Sequence, residues 1–111
     1  MLAAWNEADP ALVRRHLEQA LVPGAEFIDP SIVTRGLDEF EANVLAVQAS
    51  VPGAVYSRTS GVDSHHGLHR YSWQISRDGE TVITGFDVTE VDDDGKVVRV
   101  LGFFGPLPDT D

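Results

Sequence analysis

The apolar positions along this chain change period once, near residue 54. Before that point they recur at helical spacing. Leu12, Val13, Leu17, Ala20 and Leu21 form one side of a helix, opposite Arg14, Arg15 and Glu18. Asp9-Pro10 gives this helix its start, an N-cap followed by proline at the first helical position, and Pro23-Gly24 is expected to end it. Upstream, residues 1–8 read as the close of another helix, with Ala3, Ala4 and Trp5 suited to packing. Leu37, Phe40, Val44 and Val47 predict a further helix from about Leu37 to Ala49, stopped by Pro52-Gly53. Between these two helices Ala25–Ile28 reads as a short strand, and Asp29-Pro30 keeps the chain extended before turning it.

From Ala54 onward the pattern is that of strands, at about 54–65, 68–76, 81–91 and 96–104. The dipeptides His66-Gly67, Asp78-Gly79 and Asp94-Gly95 separate them, and each suits the positive φ angles of a tight hairpin. Helices first and a meander afterwards predict a single α+β domain over residues 1–111. Its N-terminal helices pack on one face of a strongly curved antiparallel sheet.

Two-residue loops at the three turns set an expected register. Val91 faces Val98, Thr89 faces Val100, Asp87 faces Gly102 and Gly85 faces Phe104. Arg70 falls opposite Asp87 and Asp63 opposite Arg70, so Asp63, Arg70, Asp87 and Gly102 form one row on one face. Val100 and Phe104 share that face. Asp87 is a lone carboxylate on an otherwise apolar surface, where a charge is rarely left without a partner or a task. The other face carries Tyr71, Trp73, Phe86, Val88, Leu101 and Phe103, with Glu90 and Arg99 as a cross-strand pair. Both faces are too apolar to be wet. One meets the helices and the other meets a second copy, which predicts a homodimer through Tyr71, Trp73, Phe86, Val88, Leu101 and Phe103.

Composition narrows the chemistry. Eighteen acids against eight Lys plus Arg leave a formal charge of −10, a surface that repels nucleic acid and keeps the chain soluble. There is no cysteine, hence no disulfide, thiol nucleophile or thiolate metal site. No apolar run is long enough for a bilayer and no basic-then-apolar leader opens the chain, so a cytoplasmic protein without membrane association is expected. His65 and His66 point to opposite faces of a strand and His69 points away from the side of Arg70, so they do not converge on a metal. Neither a phosphate-binding loop nor a dinucleotide fingerprint is present, and no cofactor is expected.

The order helix, helix, short strand, helix and meander resembles the nuclear transport factor 2-like superfamily, in its SnoaL-like polyketide cyclase and ketosteroid isomerase branch. The resemblance rests on Trp5-Asn6-Glu7-Ala8-Asp9, on Phe27-Ile28-Asp29-Pro30, and on Phe86-Asp87 through Asp94-Gly95-Lys96-Val97-Val98 into Phe103-Phe104-Gly105. It implies a cone-shaped fold with an apolar pocket between sheet and helices. It also implies roles: Asp29 matches the general-base aspartate, and Asp87 the neutral aspartic acid that donates a hydrogen bond to an enolate oxygen. Val100, Gly102 and Phe104 would line the pocket wall. Two features depart from the isomerase pattern. The phenol of its oxyanion site falls about where Met1 stands, on a first helix that looks clipped. Arg70 opposite Asp87 favours the carboxylate, whereas the isomerase needs that acid protonated. The Asp63–Arg70–Asp87 row is nearer in type to the Asp-Arg-Asp arrangement of limonene epoxide hydrolases, without reproducing that triad.

Two classes of function follow. One is a cofactor-free isomerase or cyclase moving a proton on a small hydrophobic carbonyl compound. Asp29 would take the proton, while Arg70 with Asp87, Asp63 and His65 orients the substrate. The other is a non-catalytic small-ligand-binding or protein-interaction module. Asp29 is then a turn former before proline, and the Asp63–Arg70–Asp87 row an ion network that holds strand register.

Overall fold

The computed structural model describes residues 2–110. Its elements are α1 (Leu2–Trp5), α2 (Pro10–Ala20), β1 (Leu21–Asp29), β2 (Ile32–Arg35), α3 (Gly36–Ser50), β3 (Val55–Arg58), β4 (Asp63–His65), β5 (Leu68–Arg77), β6 (Glu80–Val91) and β7 (Val97–Phe104). Asp9 caps α2 as expected, its side chain accepting from the Ala11 N–H at 3.0 Å with Pro10 in the first turn. The position near Met1, where the isomerase phenol would fall, lies outside the described residues. Among the described residues, no helix is long and apolar enough to cross a membrane.

The strands form one curved sheet in the order β2-β1-β7-β6-β5-β3, with β4 also paired to β5. All neighbours are antiparallel except β1 and β7, which run parallel, so the sheet is mixed rather than purely antiparallel. The helices cover one face, which gives the expected α+β architecture. Val13 and Leu17 of α2 and Phe40 and Val44 of α3 are fully buried against Leu21, Ala25 and Phe27 of β1 and Val97 and Val100 of β7. Phe27 meets Phe40 edge-on at 5.3 Å. Each such side chain contributes about 1.5–3 kcal/mol by leaving water, so this corner anchors the helices to the sheet.

Local differences from expectation have local causes. Pro23-Gly24 does not end α2, which stops at Ala20; the pair sits inside β1. There β1 pairs Leu21 with Val97 and then Glu26 with Arg99, an irregular stretch that tolerates a residue without an N–H. Residues 54–65 form two strands rather than one. The turn at Asp29 creates a strand that the sequence pattern did not announce, β2, which pairs back onto β1.

The turns at His66-Gly67 and Asp78-Gly79 are tight, with positive φ at all four residues, and pair His65 with Leu68 and Arg77 with Glu80. The third turn is wider than two residues. Asp92 Oδ1 accepts from the N–H groups of Asp94 and Lys96, each at 3.0 Å, and Val91 pairs with Val97 instead of Val98. A compensating irregularity next to Glu90 restores the expected register, with Thr89 opposite Val100, Asp87 opposite Gly102 and Gly85 opposite Phe104.

One bulge changes the picture of the sheet. Ser76 pairs with Thr81 but Ile75 pairs with Ile83, which leaves Val82 as an extra residue in β6. A one-residue slip exchanges the faces of everything beyond it. Tyr71 therefore stands opposite Asp87, and Arg70 opposite Val88. The expected Arg70–Asp87 contact does not form. Tyr71 and Trp73 turn to the helix side, leaving Phe86, Val88, Leu101 and Phe103 on the outer face. Arg99 is the strand partner of Glu90 as expected, but its ion pair is with Glu26 at 3.1 Å.

Candidate active site

The curved sheet leaves a cavity of ≈ 340 Å³ beside α1 and α3. Its walls are mainly apolar: Trp5 from α1, Phe27 from β1, Val47 from α3, Ile75 from β5, Ile83 from β6 and Phe104 from β7. Helix α1 is too short to hold itself in place. Side chains tie the segment after it down: Asn6 bonds both backbone groups of Tyr56 at 2.8 Å, and Gln48 Nε2 donates to the carbonyls of Trp5 at 2.9 Å and Glu7 at 3.0 Å.

Polar side chains also reach this wall, Ser31, Asn43, Tyr56 and Gln74 among them, but among its described residues there is no lysine, arginine or histidine. Asp87 is the central polar group. Trp73 Nε1 donates to its Oδ1 at 2.9 Å. Burial pushes the Asp87 carboxyl up to about 6; the Trp73 and Tyr71 hydrogen bonds pull it down, and the nearby charge of Asp29 pushes it further up. The Tyr71 phenol is raised above its ordinary range by burial first and then by the Asp87 charge, with Arg58 pulling the other way. Tyr71 is thus a protonated donor throughout the neutral range.

Asp29 ends β1 and does what an Asp before proline commonly does. Its Oδ1 accepts from the Ser31 N–H at 2.8 Å, the Ser31 hydroxyl at 2.7 Å and the Ile32 N–H at 3.0 Å. It also lines the cavity. Gly102 lies between the two acids: a Cβ there would sit 3.0 Å from Asp87 Oδ1 and 3.2 Å from Asp29 Cβ.

Of the residues singled out in the sequence, Asp29, Asp87, Gly102 and Phe104 come together here. Val100 does not reach the cavity; it is fully buried under the helices. Asp63, His65 and Arg70 lie elsewhere, along a second groove of ≈ 360 Å³ with Leu68, His69 and Val88. Arg70 Nε bonds Asp63 Oδ2 at 2.8 Å, in a pair about two-thirds exposed on each side. The β6 bulge separates this pair from Asp87. It also brings in Tyr71 and Trp73, which strand alternation had assigned to the outer face. A phenol does meet Asp87, but it comes from β5 rather than from the first helix.

No family model and no curated protein matches the sequence. Solved structures do match. A candidate isomerase of the SnoaL-like family from Agrobacterium tumefaciens C58 is 30% identical, with 95% of this chain and 91% of that chain covered and a TM-score of 0.90. This chain belongs to the SnoaL-like family. A candidate SnoaL-like polyketide cyclase from Jannaschia sp. CCS1 superposes at TM-score 0.72 with 14% identity, covering 93% of this chain and 81% of that one. A de novo designed protein with a curved β-sheet reaches TM-score 0.71 at 14% identity, over 95% of this chain and 79% of that one. Both of the latter likenesses concern fold alone. A fold does not fix an activity, so chemistry has to be argued from the residues around Asp87.

Proposed function

We propose that this SnoaL-like protein is a cofactor-free enzyme of the isomerase or cyclase type, moving a proton on a small, mainly apolar carbonyl compound. The observation that carries this reading is Asp87, a carboxyl inside an apolar cavity whose pKa is raised to about 6, beside the protonated Tyr71 phenol. An acid–base group works best when its pKa lies near the working pH. In neutral solution Asp87 takes a proton from the carbon next to the carbonyl. The oxygen gains the charge, and the Tyr71 hydroxyl donates to it. Asp87 then returns the proton to another carbon, or the carbanion attacks a second carbonyl, whose π electrons become an alkoxide, and Asp87 returns its proton to that oxygen as the ring closes.

The family resemblance implies a base at Asp29. The hydrogen bonds favour Asp87, because Asp29 Oδ1 already accepts three donors of its own turn. The role of Asp29 in this scheme is its charge, which keeps the proton affinity of Asp87 high. With two acids and no basic residue in the described wall, the cavity disfavours anionic substrates. The scheme is tested by assaying proton exchange into small cyclic ketones. Wild type should exchange, Asp87→Asn should not, and Asp29→Asn should retain exchange with an altered pH profile. Exchange that survives in Asp87→Asn rejects the scheme.

A second reading, a small-ligand-binding module, is favoured by the mainly apolar wall. It predicts thermal stabilisation by neutral ring compounds without turnover. Under either reading the protein is a homodimer through the outer sheet face. Phe103 is 62% exposed there, beside Phe86, Val88 and Leu101. The charges on that face are balanced locally by the Arg70–Asp63 and Arg99–Glu26 pairs, which lets two copies of charge −10 approach.

A further inference from the structure

Asp87 owes its one indole partner to a residue that has no side chain. A Cβ built on Gly85 would lie 2.0 Å from Trp73 Cζ2, 2.3 Å from Cε2 and 2.6 Å from Cη2. Real Cβ atoms essentially never come that close, so a side chain at Gly85 forces the indole to shift. The six-membered ring of Trp73 therefore lies directly over Gly85, its strand partner on β6. Phe104, the partner of Gly85 on β7, closes the far side, its ring perpendicular to the indole at 6.2 Å. From this seat the Trp73 Nε1–H reaches Asp87, two residues further along β6, at 2.9 Å.

We propose that Gly85 is a positioning residue for the acid–base site: its bare Cα is the seat that lays the Trp73 indole across β6 and delivers its N–H to Asp87. The positive φ that usually explains a glycine does not apply, since Gly85 lies in regular strand. Its requirement is one of space. The inference deepens the proposed chemistry and rests on it, since the group being tuned is the proposed proton carrier.

The consequence for Asp87 has a definite sign. An N–H donated to a carboxylate favours the charged form, so losing it raises the proton affinity of Asp87. A hydrogen bond to a charged group corresponds to roughly one pKa unit or more. Trp73→Phe keeps an aromatic ring on β5 and removes the N–H together with the outer part of the indole. Gly85→Ala keeps the indole and displaces it.

The test is the Asp87 titration, followed by carboxyl carbon NMR in wild type, Trp73→Phe, Gly85→Ala and the double variant. Trp73→Phe and Gly85→Ala should each move the midpoint upward by about one unit, and the double variant no further than either alone. An unmoved midpoint in Gly85→Ala, with the Trp73→Phe shift present, would overturn the proposal, because Gly85 would then matter only for packing. If Gly85→Ala does not fold, the same substitution is made in a Trp73→Leu background. Tolerance there supports the seat, and failure to fold there overturns it. Because titration is read without substrate, a shift without turnover would count against the proposed reaction and leave the positioning role standing.

Discussion

Tyr71 is the strand partner of Asp87, and its neighbour Arg70 is the partner of Val88. This single relationship decides the character of the site. With Arg70 opposite, Asp87 would be an ion-paired carboxylate of depressed pKa. With Tyr71 opposite and Trp73 donating, it is a desolvated acid raised to about 6. The cause lies some distance away, in the extra residue Val82 that shifts β6 against β5.

Arg70 is then expendable to the site. Arg70→Met should leave the Asp87 titration and any ketone-exchange rate at wild-type values. The Arg70–Asp63 pair is largely exposed on both sides, and such pairs contribute about 0–1 kcal/mol. Urea unfolding of the variant should therefore stay within that range. A large change in exchange rate would mean that the outer groove and the cavity communicate.

The proton linkage of Asp87 can be read in stability. Its folded pKa, about 6, lies above the ordinary 3.8, so the folded state binds the proton more tightly than the unfolded one. The stabilisation by protonation is fully present below about pH 4 and is lost as pH rises through 6. The shift corresponds to about 3 kcal/mol at most. Asp87→Asn, which can still accept from Trp73, should be more stable than wild type at pH 7.5 by about 1–3 kcal/mol, with the difference vanishing near pH 4. Urea midpoints at the two pH values check this.

Much of this arrangement was legible in the sequence. Asp9-Pro10 placed the start of α2, Pro52-Gly53 and the helical spacing of Leu37, Phe40, Val44 and Val47 placed α3, and Asp-Gly and His-Gly pairs placed the hairpins. The β6–β7 register was readable because the irregularity near its turn is local, so Asp87 and Gly102 were correctly opposed. The face of β5 was not readable. Nothing in Thr81-Val82-Ile83 distinguishes a bulged strand from a straight one, since all three are good strand residues. One unmarked residue therefore exchanged Arg70 and Ser72 for Tyr71 and Trp73. The glycine two places before Asp87 was the available signal, because an interior strand glycine often marks a close approach.

Gly102 offers a direct probe of the two acids. A methyl on the buried Gly102 would press on Asp87 Oδ1 at 3.0 Å and on Asp29 Cβ at 3.2 Å. Overpacking of this kind costs about 1–3 kcal/mol. Gly102→Ala should lower the urea midpoint accordingly and displace Asp87 from Trp73, with indole fluorescence reporting the change. A variant as stable as wild type with unchanged fluorescence would show that the two carboxylates have room to separate.

Asp29→Asn separates charge from geometry. Asparagine retains an oxygen that can accept from the N–H groups of Ser31 and Ile32, so the turn should survive and stability should change little. Its charge is gone, and that charge is one of the influences raising Asp87. The Asp87 midpoint should fall below about 6, and the acidic limb of the ketone-exchange profile should move to lower pH with it. If Asp29 were itself the base, exchange would vanish at every pH while the Asp87 midpoint still fell. Measuring the rate profile and the titration on the same variant therefore tells which of the two acids carries the proton.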